Sequence, residues 1–431
     1  MSARVNLLEP AVRDNPYPHY AEMRRNAPVC QVDPGGFWVV TRYDDVVSVL
    51  KNPQLFSSEG LKSGSEQGWL ANNPLGDSMI MMDPPKHGRM RALVNRAFSA
   101  QALARLEPRI QAVADQLTAQ VLQRRTVDFI EDFALPLPAS VIALLLGLDL
   151  SLTKHFKRWS DDMVSAPAIA STDTERQAQV VTSVREMEHH LKQVLAERRR
   201  NPGDDMVSDL LRTQVDGESL TDRELMGFFF LLLVAGLETT VHLLGHTARV
   251  LAERPEVLAR VRAEPALIPR LVEEVLRYEP PTHATMRLVM DDVTLGGVKL
   301  VPGHAPHRDD GLGLPGRGLC SQRGALLTGA DHADQHDLWP WGPLLPGRPP
   351  GTARGEAGPG DAAASVRRLP CNGPRAVEPV LDGARACLPA HGAHPRLTEV
   401  SGLLQTFPRV LGSALTTVRG RRRGLGGVRE G

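Results

Sequence analysis

Lysine, isoleucine, methionine and tyrosine are all missing from residues 303–431 of this chain, although the 302 residues before them use all four freely. A single folded protein does not ordinarily change its vocabulary at one point. Gly and Pro fill 37 of those 129 positions, against 35 of the preceding 302, which takes the later segment into the range of low-complexity chain. Apolar periodicity is also lacking there, beyond a weak hint around 399–417. Two readings fit: a disordered C-terminal extension, or translation out of the reading frame. Out-of-frame high-GC DNA yields Arg, Gly, Pro and Ala at the expense of Lys, Ile and Tyr.

Other absences bound the function. Fifty basic residues balance fifty acidic ones, so the overall charge does not point to nucleic acid or to an anionic membrane. Cys30, Cys320, Cys371 and Cys387 form neither a disulfide framework nor a zinc spacing. The N-terminal MSARVNLLEPAVRDNPYPHY lacks the apolar core of a signal peptide, and a cytoplasmic location is expected. The most apolar run, FFFLLLVAG at 228–236, is too short to span a bilayer and is expected to be part of a buried helix. At 42% hydrophobic residues the chain can build a substantial core.

What is present lies in the first 302 residues. FWVV at 37–40 followed by YDDVVSVLKNP predicts a strand leading into a helix that ends before Pro53. In DPPKHGRMRALVNRAFS, 83–99, Pro84 and Pro85 set the approach to a helix carrying His87 and Arg91 four residues apart on one face. Two such donors can bind an anion; alternatively they join Arg89 and Arg96 in a solvated basic stripe.

The longest helix is predicted to start at Thr221, where TDRE is a capping box with Glu224, and to run to about Ala252 before Pro255. Its apolar middle holds AGLETT, 235–240. There Gly236 and a threonine hydroxyl bonded back to a carbonyl one turn earlier would favour a local widening of the helix. Glu238 is costly unless paired or placed on a wet face. LVEEVLRYEPP, 271–281, puts Glu274 and Arg277 one turn apart before a Pro-Pro stop, followed by THATMR and the strand-like DDVTLGGVKL.

In this order and spacing the motifs resemble the cytochrome P-450 superfamily, in its soluble bacterial form, over about residues 10–302. The resemblance implies a mainly α fold with small β-sheets for an incomplete domain 1–302, and a non-native or disordered low-complexity tail, 303–431. It implies heme b, with His87, Arg91 and Arg287 on its propionates. Glu238 and Thr239, beside Gly236, match the acid and alcohol that deliver protons for dioxygen cleavage. Glu274 and Arg277 match a structural buried pair. Electrons would come from NAD(P)H through a ferredoxin and its reductase. The substrate would be a small hydrophobic molecule met by segments within 60–82 and 160–180, a secondary-metabolite intermediate being one such class. No nucleic-acid or membrane partner is implied, VRGRRRGLGG at 418–427 notwithstanding.

One expected motif is missing. The loop FGxGxHxCxG, whose cysteine ligates the iron, should lie about seventy residues beyond Arg277, and none of Cys320, Cys371 or Cys387 has its glycines or aromatic residue. At that distance stands LWPWGPLLPGRPPGTARGE, 338–356. Read one nucleotide later, with synonymous third bases free, its codons permit FGHGAHFCLGALLARLEAR. Tryptophan has one codon, so Trp339 and Trp341 force the two glycines, and the cysteine falls near Leu345. A frameshift near Pro302 to His304 accounts for the loss. The chain as written is then either a disabled monooxygenase or a haem-free relic that binds without catalysis.

Overall fold

A computed structural model describes residues 4–302, apart from 8, 34–36, 63–67, 71–72, 125–126, 167–168 and 170–171, together with a strand at 317–320. It is mostly helical with small sheets, and the described residues fall into two compact units, 4–64 with 277 onward, and 65–276.

The first unit holds the sheets. Helices α1 (Pro10–Asp14) and α2 (Tyr17–Asn26) each carry a proline in the first turn, where its missing N–H costs nothing. Strand β1 (Val29–Val32) pairs antiparallel with β2 (Phe37–Val40), and α3 (Tyr43–Lys51) follows as predicted. Asp44 and Asp45 in the first turn of α3 and Lys51 in its last complement the helix dipole. Next come β3 (Phe56–Ser57), β4 (Thr285–Val289), and the hairpin β5 (Val293–Leu295) and β6 (Val298–Leu300). The hairpin turns through Gly296 and Gly297 at φ of 56° and 81°, the left-handed region that glycine enters without strain. Val29, Val40, Val46, Val49, Phe56 and Val289 pack with Leu295 and Leu300 into one core.

Arg317–Cys320 forms β7, in the middle of a five-stranded sheet ordered β1-β2-β7-β4-β3. It runs parallel to β2 and antiparallel to β4. A ladder recognises backbone N–H and C=O groups, and two free strand edges offer those groups to any extended segment. Cys371, Cys387, 338–356, 399–417 and 418–427 lie outside the described residues.

The second unit is helical: α4 (Lys86–Ala97), α5 (Ala100–Leu122), α6 (Pro136–Leu146), α7 (Thr153–Ser165), α8 (Thr174–Arg200), α9 (Met206–Arg212), α10 (Asp222–Glu253), α11 (Pro255–Ala263) and α12 (Ile268–Tyr278). The last turn of α12 returns the chain to the first unit. Side-chain caps start four of these helices: Ser99, Asp173, Asp205 and Thr221 each accept a backbone N–H. At Thr221 the capping box with Glu224 is complete. Helix α10 is long and apolar enough to cross a membrane by length and composition alone. Its Phe228, Phe229, Phe230, Leu233, Leu237 and Leu244 are buried, and it packs on α6 and α7, as the central helix of a protein core does.

Candidate functional site

Helix α4 sorts its basic residues into two sets. Arg89 is engaged by Glu218, by Glu224 at 2.5 Å and by the Ser219 carbonyl at 2.9 Å, and Arg96 donates to the Gln214 carbonyl. The side chains of His87 and Arg91, one turn apart, have no hydrogen-bond or ion-pair partner among the described residues. Arg89, half-buried, and the exposed Arg96 thus tie α4 to the segment leading into α10. The other pair stays available to an anion from outside the described chain. Sequence reasoning missed the role of Arg89. Its acidic partners lie 129 and 135 positions away, and nothing local marks the pairing.

The middle of α10 is different from its start. Along a helix whose other faces are buried, Ala235 is exposed and Leu231, Leu232, Gly236, Glu238 and Thr239 are half-buried. Thr239 donates its hydroxyl to the Ala235 carbonyl at 2.5 Å, the back-bond expected from sequence. The expected widening does not occur: α10 remains α-helical from Asp222 to Glu253. A hydroxyl can share a carbonyl with the helical N–H, because that oxygen has two lone pairs, so the back-bond does not require an opened turn. A side chain on Gly236 would meet Ile142 at 3.4 Å, ordinary contact, so packing does not demand glycine there.

Glu274 and Arg277 lie one turn apart on α12, both half-buried. Arg287 sits in β4, opposite Gly318 of β7, and its guanidinium donates to the Met286 carbonyl at 2.7 Å and to the Thr285 hydroxyl at 3.2 Å. Those are local bonds to neutral acceptors, which leave its charge uncompensated by any acid in them. One pocket among the described residues lies elsewhere in the second unit, among Phe98, Leu103, Arg105, Leu144 and Met206. Its roughly 20 Å³ of free space suits about one water. Of the segments expected to meet substrate, 63–67, 71–72, 167–168 and 170–171 lie outside the described residues, as does Leu345.

Burial raises the thiol of Cys30, in β1, above its ordinary range. No cluster of three or more His, Cys, Asp or Glu side chains suited to a metal ion occurs among the described residues.

The family described as Cytochrome P450 matches residues 4–305. Cytochrome P450 109 of Bacillus spizizenii is 40% identical over 293 residues, covering 67% of this chain and 69% of that protein. The 6-deoxyerythronolide B hydroxylase of Saccharopolyspora erythraea is 35% identical over 296 residues, covering 66% and 72%. Among solved structures, cytochrome P450 CYP109Q5 from Chondromyces apiculatus superposes with a TM-score of 0.63 at 37% identity, over 74% of this chain and 76% of that one.

Proposed function

Because the chain belongs to the cytochrome P450 family, whose members are monooxygenases, we propose that it derives from an enzyme that inserts one oxygen atom from dioxygen into a hydrophobic small molecule. Residues 1–302 are the incomplete catalytic domain, and 303–431 are translated out of frame. One observation carries this reading. The family match stops at residue 305, just past the point where Lys, Ile, Met and Tyr vanish.

Haem, when bound, supplies the dioxygen chemistry of this family. The described residues fit part of it. His87 and Arg91 are donors free to neutralise a propionate, and Arg287 is a third cation, whose guanidinium donates to the neutral Met286 carbonyl and Thr285 hydroxyl. Thr239 and Glu238, on the open stretch of α10, would hold and pass protons, with Gly236 keeping that stretch free of a side chain. Glu274 and Arg277 would support the fold around them. The expected place of the axial thiolate, near Leu345, holds no cysteine in the frame as written. That lack favours a second reading for the polypeptide as it stands, a haem-free relic. The working enzyme would be cytoplasmic and take NAD(P)H electrons from a ferredoxin and its reductase. The relative named as a 6-deoxyerythronolide B hydroxylase supports a secondary-metabolite substrate.

A carbon monoxide difference spectrum tests the assignment. The 431-residue chain is expected to lack the band of thiolate-ligated haem, and a chain with the frame restored at Pro302 to His304 is expected to show it. Resequencing those codons is the independent arm: an unbroken frame whose codons cannot encode the shifted loop overturns the frameshift.

A further inference from the structure

Nine residues separate Arg277, at the end of α12, from Arg287, in β4, and the connection includes Pro280 and Pro281, which have no N–H to donate. Its geometry must be imposed by other means. Glu279, directly after α12, is 7% exposed, and a carboxylate taken so far out of water requires a donor. One such donor comes from the other end of the chain: the Tyr17 hydroxyl donates to Glu279 Oε2 at 2.8 Å and approaches the Tyr278 carbonyl at 3.4 Å.

The donor is itself held. Tyr17 opens α2 and packs with Tyr20, Met23, Val32 and Val39 in a second small core of the first unit. His283, within the connection, stands against both rings, its centroid 5.9 Å from that of Tyr17 and 6.2 Å from that of Tyr20. The two tyrosines meet edge to face at 6.3 Å, a favourable arrangement of ring quadrupoles. Burial pushes the Tyr20 hydroxyl up to about 12, so this ring stays neutral at ordinary pH.

We infer that the Tyr17–Glu279 hydrogen bond, flanked by Tyr20 and His283, is a latch that fixes the connection 279–286 and thereby the position of Arg287. Tyr17 and Glu279 are positioning residues; neither is assigned contact with a ligand. What Arg287 is positioned for rests on the haem reading above, but the latch does not.

Hydrogen exchange on the 431-residue chain tests it, following amides of 279–289 against those of α3 in the same unit. Tyr17→Phe removes the donor and Glu279→Leu the acceptor. Each is expected to lower protection of 279–289 by about tenfold, the loss of one charge-assisted bond, with less than about a twofold change in α3. The double variant is expected to be no worse than the more damaging single one, because both remove the same bond. Glu279→Gln, which keeps an acceptor oxygen, is expected to stay within about threefold of the parent. Unchanged protection, equal losses in 279–289 and α3, or additive losses in the double variant each overturn the latch. If the latch behaves as expected but frame-restored protein shows no thiolate band with carbon monoxide, the latch stands and the haem reading falls.

Discussion

Helix α10 places Gly227 and Gly236 nine residues apart and uses them for opposite purposes. At Gly227 a Cβ would lie 2.7 to 2.8 Å from the backbone of Asp77 and Ser78, so the chain of a neighbouring turn occupies the space a side chain would need. At Gly236 a Cβ would meet only the tip of Ile142 at 3.4 Å, while Ala235 beside it is exposed. The first site is closed by the protein's own atoms, and the second is left open by them. The same division runs through α4, where Arg89 is satisfied by neighbours and Arg91 is not. Positions closed internally concern stability, and under the proposed function the open ones face the haem and its ligands.

The division can be broken experimentally. The largest effect is expected from Gly227→Ala, because the clash is with backbone that cannot rotate away. A loss of about 3 kcal/mol is expected from thermal or urea unfolding, and a loss under about 1 kcal/mol would show that the turn at Asp77 yields.

Next is the acid limb. Burial tends to raise the Glu224 carboxyl, but the Thr221 N–H and hydroxyl and the Arg89 guanidinium outweigh it and hold the group below the usual carboxylate range. A lowered value stabilises the fold above the unfolded value of roughly 4.3, and that stability is lost as pH falls through the folded one. Glu224→Gln is therefore expected to cost about 1 kcal/mol near neutrality and progressively less below pH ~4.3, in urea midpoints measured across that range.

Comparing Arg89→Met with Arg91→Met sharpens the point on a single helix. The Arg89 side chain is a third exposed, so solvent weakens its ion pairs, and a cost of about 1 kcal/mol is expected. Arg91→Met is expected to change stability by less than about 0.5 kcal/mol, yet to weaken haem retention in frame-restored protein. The smallest effect has the opposite sign. Gly236→Ala is expected to leave stability unchanged or raise it by up to about 0.5 kcal/mol through helix propensity, read as a small rise in melting temperature.

Local patterns were readable in advance. The Thr221 cap, the ends of α3 and α12, and the one-turn spacing of His87 with Arg91 follow from neighbours within four residues, where capping, proline and helical periodicity act. Long-range relations were not readable. Arg89 and Arg91 look alike in HGRMR, and only the approach of Glu218 and Glu224 distinguishes them. Tyr17 and Glu279 are separated by nearly the whole family-matched region, and no periodicity joins them. The β7 strand escaped because ladder pairing depends on backbone groups, to which composition is nearly blind. The widening that Gly236 and the threonine back-bond favour does not occur, because the packing of α10 holds a regular helix through that turn.

Glu224 closes the box that begins α10 and also accepts from Arg89 of α4. It thus serves as a common datum for indexing two helices. Glu238 follows it by fourteen residues, close to four whole turns and about 21 Å along the axis. The acid in the open stretch therefore points within about 40° of the direction of the cap. Slipping α10 by one residue would rotate Glu238 and Thr239 by about 100° and break the tie to Arg89 in the same step, so the angular phase of the open stretch is guarded from its far end.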